Sequence, residues 1–354
     1  MKTGLFKTLA LAAALLASPL AGVASPALAN DDQLEIAFDS VFGTQVREPR
    51  DYYSGYTDPL LRQVAMLADG THGRIGVAAI DLATGQQVAV LGDQRFPMAS
   101  TSKIAVAAMF LDGVDRGRWS LDDRFPLILP VSSPALSSVT APVRRGEMMS
   151  ARDLIDIMIT RSSNPATDAL LEVVGGPQAV TQWVRERAGI TDFELTRNIA
   201  TLVRDNREFN PATYIDTRDS ASPLAMARFL AGLYQGRYLS PASTNLLIRT
   251  MERTRTGANR IRGQMRSDVL VMHKTGTLHN TSSDVGLLTL PDGRTIALAI
   301  YVTGQGDSTT RDRRIAAIAR AIVDGFSASG NAPNATGRVY ASAQYPQPEP
   351  APES

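Results

Sequence analysis

The chain has 354 residues, with 36 lysines plus arginines against 35 acids, three histidines and no cysteine. A near-neutral charge with no basic block offers nothing to nucleic acid or to an anionic membrane surface. The missing thiol excludes disulfides, a cysteine nucleophile, a cysteine-ligated zinc and a lipidated N-terminus. A small-molecule partner is therefore expected, with no metal and no cofactor.

Residues 1–29 read as a secretory signal: Lys2 and Lys7, an apolar run from Leu9 to Leu16, and a small-residue exit at Ala27-Leu28-Ala29. No later apolar stretch approaches the ~20 residues of a membrane span, so a soluble, monomeric protein of the periplasm or medium is expected. Cleavage would remove two lysines and no acids, taking the net charge from +1 to −1 (1 − 2). Only Lys103 and Lys274 would then remain among a cation set otherwise made of arginine. Lysine can give up its proton under burial or beside another cation, whereas arginine stays charged, so these two are candidates for proton chemistry.

Residues 30–59 form a polar extension without a clear period. Leu60, Leu61, Val64, Ala65 and Leu67 then fall at helical spacing. Stretches 74–80 and 87–91 read as an antiparallel hairpin turning at Thr84-Gly85, after which Pro97 introduces a helix. From residue 100 to about 262 the patterns are mostly helical, with Ser150 placed to cap a helix over 151–160. Pro165 opens a further helix that Gly175-Gly176 ends, and others run over 223–234 and 241–253. Strands return at 269–272, 285–290 and 295–302, followed by an amphipathic helix from about 311 to 326 and a Pro-rich tail over 328–354, expected to be disordered.

This order implies an α/β chain of the α+β kind. An antiparallel sheet completed by both chain ends (60–99 and 265–327) is flanked by N- and C-terminal helices and interrupted by an all-helical part (100–264). A cleft between the two parts would suit a ligand.

Three motifs can meet there. Ser100, at a helix start where unpaired amides favour a developing oxyanion, lies one turn before Lys103, the geometry of a nucleophile beside its base. In the loop Ser162-Ser163-Asn164-Pro165, a second hydroxyl can relay a proton and an asparagine can hold an amide by donor and acceptor together. Lys274-Thr275-Gly276-Thr277, after a strand, offers a cation and hydroxyls to a carboxylate, a glycine for close backbone approach and the Thr277 amide to an oxyanion. There is neither a GxSxG elbow nor an HExxH, and His72, His273 and His279 read as turn and flanking residues.

SxxK, Ser-x-Asn and KTG in this order resemble the class A β-lactamases, over about residues 60–326. The resemblance implies Ser100 as the acylated nucleophile, Lys103 as its base or proton relay, and Ser162 as the shuttle to the leaving nitrogen. Asn164 would hold the substrate's side-chain amide. Lys274, Thr275, Gly276 and Thr277 would form the wall that holds its carboxylate, and Arg260 stands where some members keep an arginine for that group. Lys103→Arg should then abolish acylation, and Lys274→Arg should be the milder change.

The family's deacylating glutamate is absent. Counted forward from Arg197 its place falls on Ile199; counted back from Asp219 it falls on Asn206, with Asn210 at the partner asparagine's place. The loop is longer than usual, and Glu208, beside Asn210, is the substitute base expected here. Asp168 replaces a customary asparagine and Ser163 a customary aspartate. The leading function is a serine β-lactamase. The alternatives are a D-alanyl peptidase or other serine esterase or amidase with slow deacylation, and a non-catalytic protein that binds β-lactams or cell-wall fragments.

Overall fold

The computed structural model describes residues 58–70 and 72–329; the leader, residues 30–57 of the extension and the tail from residue 330 lie outside them. Helix α1 (Pro59–Leu67) starts where Asp58 accepts the Leu61 amide at 2.7 Å. Strands β1 (Ile75–Asp81), β2 (Gln87–Val90) and the short β3 (Phe96–Pro97) follow, then a 3-10 turn over Ala99–Ser102 that leads into α2 (Lys103–Asp115). Next come a ribbon of β4 (Arg124–Pro130) and β5 (Val143–Ser150), and helices α3 (Ala151–Thr160), α4 (Asn164–Val174) and α5 (Pro177–Ala188). Short β6 (Phe193–Glu194), α6 (Ile199–Arg204) and β7 (Ser220–Ala221) precede α7 (Pro223–Tyr234) and α8 (Pro241–Glu252). Strands β8 (Leu270–Leu278), β9 (Thr281–Thr289) and β10 (Thr295–Thr303) and helix α9 (Ser308–Ser329) close the order.

The main sheet runs β2-β1-β10-β9-β8, antiparallel throughout, so both ends of the described chain build it, as expected. Alternation sorts its side chains onto two cores. Val77, Ala79, Leu298 and Ile300 face α1 and α9, while Ala78, Ala299, Tyr301 and Leu287 face the helical part. From α9, Ile315, Ile318, Ile322 and Phe326 are fully buried. At roughly 1.5–3 kcal/mol per buried side chain, that stripe, rather than helix propensity, holds the terminal helix in place.

Two expectations are corrected. The helical part contains the β4–β5 ribbon: Pro126 and Pro130 argue against a strand, but a two-stranded ribbon has only edges, and the register slips between Pro126 and Ile128 as at a bulge. Lys274-Thr275-Gly276 does not follow a strand but lies inside β8, paired residue for residue with β9 from Leu270↔Thr289 to Leu278↔Thr281. Its polar residues carry no strand pattern of their own, and cross-strand pairing in a buried setting outweighs propensity.

Candidate active site

Ser100 lies at a helix start, as expected, in the 3-10 turn that runs directly into α2. It is half-buried, whereas Ala99, Thr101, Ser102 and Lys103 are buried, so within this turn the serine is the residue that solvent reaches. Ala99 has φ +49° and Ser162 φ +59°, left-handed values that cost a non-glycine residue and often mark functional positions. Strain therefore flanks both hydroxyls. Gly276 has a different task from the one its motif suggests: a Cβ there would sit 2.6 Å from the Met98 carbonyl and 3.0 Å from the Ala99 Cβ. The glycine lets β8 press against the turn that presents Ser100.

The two lysines converge on one hydroxyl. Lys103 Nζ donates to the Ser162 carbonyl at 2.8 Å, to Asn164 Oδ1 at 2.7 Å and to Ser162 Oγ at 3.3 Å. Lys274 Nζ donates to the same Ser162 Oγ at 2.9 Å and to the Thr275 carbonyl at 2.9 Å. Both lysines are fully buried. Burial, reinforced by Lys274, holds the Lys103 ammonium well below the usual lysine range, with Asp168 acting the other way. Burial also pushes Lys274 down to about 7, against Asp284 and with some help from Arg260. Lys274 is thus as desolvated as Lys103, and its surroundings give no ground for expecting Lys274→Arg to be a mild change.

Thr275 bonds the Thr256 hydroxyl at 2.6 Å, and Thr277 is exposed at the mouth of the cleft. The guanidinium of Arg260 is committed to protein: it donates to Asp312 at 2.8 Å, to the carbonyls of Gly276 and Ser283 at 2.8 and 2.9 Å, and to Thr277 Oγ1 at 2.7 Å. Its effect on a ligand would pass mainly through the β8 wall it braces. His273 and Asp284 form a fully buried pair behind that wall, Nδ1 lying 2.9 Å from both carboxylate oxygens. Nothing in the sequence around Asp284 marks it.

The long loop is closed by Asp219, which accepts Arg197 Nε at 2.6 Å and the amides of Thr196 and Arg197 at 2.8 and 3.0 Å. This is the expected Arg197–Asp219 pair. Glu208, the expected substitute base, instead accepts Arg218 Nη2 at 2.8 Å and lies 3.8 Å from Arg197. None of its hydrogen bonds or ion pairs among the described residues reaches Ser100, Lys103 or Ser162. The loop's extra length explains this: Asn206 accepts the His279 amide at 3.2 Å and Asn210 accepts Asn280 Nδ2 at 2.9 Å, docking the segment on the β8–β9 turn. Ile199 is buried at the start of α6 with its amide bonded to Asp168 Oδ1 at 2.6 Å, and Ala200 donates to Asp168 Oδ2 at 2.9 Å.

A solvent-reached serine on a strained turn against an edge strand, one turn before a buried lysine of lowered proton affinity, suits a serine enzyme of the acyl-transfer class. Residues 59–326 match the model of the β-lactamase enzyme family, and the chain belongs to that family as a class A-like serine hydrolase. It is 30% identical to β-lactamase CTX-M-25 of Escherichia coli over 75% of this chain and 88% of that protein. With β-lactamase VEB-1 of Pseudomonas aeruginosa it shares 25% identity over 75% and 89%. Among solved structures, a β-lactamase from Chitinophaga pinensis superposes with a TM-score of 0.67 at 28% identity, covering 76% of this chain and all of that one. An ancestral class A β-lactamase does so with 0.63 at 37% identity, covering 75% of this chain and all of that one.

Proposed function

We propose that the protein opens the β-lactam amide through an acyl-Ser100 intermediate. The carrying observation is Ser162 Oγ, held by both lysines at 2.9 and 3.3 Å, with one of them, Lys103, a turn after the half-buried Ser100. Lys103 in its neutral form takes the Ser100 proton as Oγ attacks the carbonyl carbon, and its lowered proton affinity favours that form. The amides of Ser100 and Thr277 take the oxyanion. Collapse of the tetrahedral intermediate breaks the C–N bond, and Ser162 passes a proton to the departing nitrogen, drawing on the lysine pair. Asn164 holds the side-chain amide, while Lys274, Thr275 and Thr277 receive the carboxylate on a wall that Arg260 braces.

Hydrolysis of the acyl-enzyme has to proceed without a carboxylate at position 199. The buried Ile199 therefore supports a second reading in which the same acylation serves a D-alanyl peptidase, or another serine esterase or amidase, with slow release. The leader over 1–29 supports export to the periplasm or medium, and a monomer suffices for every residue used here. Steady turnover of a chromogenic cephalosporin by wild type, absent in Ser100→Ala, is the expected result; equal rates in both would overturn the acyl-Ser100 scheme. Intact mass after mixing with penicillin separates the two readings: rapid return to free enzyme marks the lactamase, a lasting adduct the slow-release enzyme.

A further inference from the structure

Asp168 is a charged group near Lys103 to which the scheme above gives no task. It lies on α4 one turn after Asn164, so both side chains share a helix face, and Asn164 Oδ1 is itself an acceptor of Lys103 Nζ. Its carboxyl is 5% exposed, both oxygens receive loop amides, and with Asn164, Pro165, Ile199 and Val203 it lines a cavity of about 390 Å³. An amide side chain could accept one of these loop amides but would set its own N–H donors against the other, so Asp168→Asn weakens the loop anchor as well as removing the charge. A carboxylate adds a full negative charge, and in a buried setting little water screens it. The charged groups that act on Lys103 are Lys274 from β8 and Asp168 from α4. Those near Asp168 are Lys103 from α2 and, across the cavity, Arg204 of α6, whose guanidinium is engaged by Asp205 at 2.8 Å. Burial raises the Asp168 carboxyl to about 6, against the pull of the two loop amides and of Lys103.

We propose that Asp168 is a positioning residue that sets the protonation of Lys103, supplying from helix α4 the negative charge the loop lacks at Ile199, while its bonds to Ile199 and Ala200 tie that charge to the seating of the loop. Its charge opposes that of Lys274, so that Lys103 stays basic enough to take the Ser100 proton. This rests on the acyl-Ser100 reading.

The test follows acylation of the full chain by penicillin, as intact mass against time from about pH 5 to 9, in wild type and Asp168→Asn. Both should form the Ser100 adduct. Removing the negative charge lowers the proton affinity of Lys103, so the acid limb of the acylation rate should move about one pH unit lower in the variant. The plateau should fall severalfold, since a weaker base is left. An acid limb at the same pH, with the rate reduced equally at every pH, would leave Asp168 a loop anchor only and overturn the proposal. A wild type that neither forms an adduct nor consumes penicillin would overturn the acyl-Ser100 reading and this proposal with it. A measurement on wild type alone covers a variant that fails to fold. The chain has four lysines, two of them in its first ten residues, so lysine-13Cε signals can be assigned and titrated. Lys103 should show a second inflection near the titration of Asp168, at about pH 6; a single inflection would overturn the proposal.

Discussion

Replacing Lys274 with methionine should flatten the dependence of stability on pH. In the unfolded chain this lysine titrates near 10.5, while burial in the fold brings it to about 7. Between those values the unfolded chain holds a proton that the folded chain has released, so stability rises with pH across the window. At about 1.36 kcal/mol per pH unit, the gain from this residue between about pH 7 and 9.5 is on the order of 3 kcal/mol. Methionine fills a similar volume without a charge. Its loss of the bonds to Ser162 Oγ and the Thr275 carbonyl displaces the whole curve by a constant and leaves the slope untouched. Removing the Lys274 charge also relieves Lys103, which flattens the variant further. Urea unfolding at four or five pH values reads the slope directly. Parallel curves for wild type and Lys274→Met, within about 0.5 kcal/mol, would refute the claim that this ammonium is desolvated, since an exposed lysine contributes no such term.

Three further outcomes follow from the same contacts. Lys103→Arg should abolish acylation, by a factor of roughly 10² or more, because arginine cannot accept the proton; Lys274→Arg should also lose at least about tenfold, since a larger, permanently charged group must enter a fully buried slot. Both are read from the acylation rate. Glu208→Gln should change acyl-enzyme lifetime less than about twofold in a mass time course, because Arg218 and Arg197 engage that carboxylate; a tenfold longer lifetime would restore it as the deacylating base. Asp219→Ala leaves two loop amides and the mostly buried Arg197 without their main acceptor and should cost about 3 kcal/mol, or roughly 6–12 °C in Tm, by calorimetry.

How far the site could be read from the chain differs from residue to residue. Ser100 and Lys103 could be picked out because they stand one turn apart on a continuous segment, whereas the bonds Lys103 makes to Ser162 and Asn164 come only with the fold. The pairing of Arg197 with Asp219 was legible because both ends of the loop kept their residues. The bonds of Glu208 to Arg218 and its approach to Arg197 were not legible, because counting along an expanded loop says nothing about where the insertion folds, and here it docks on the β8–β9 turn. Asp284 was invisible, since a carboxylate in a polar run becomes significant only when register sets it beside His273. Arg260 was recognised by its place but not by its bonds, all of which run to residues distant in sequence.

The sequence by itself determined the chemistry available and the layout: which hydroxyls and lysines exist, that the sheet is built from both chain ends, and that the loop lacks a carboxylate at 199. Composition and periodicity decide these because they depend on residue type and near neighbours. Only the tertiary structure decided how the lysines behave. Both ammonium groups are buried and point at Ser162 Oγ, and proton affinity depends on desolvation and on charges brought close by folding, neither of which is a property of a residue's neighbours along the chain.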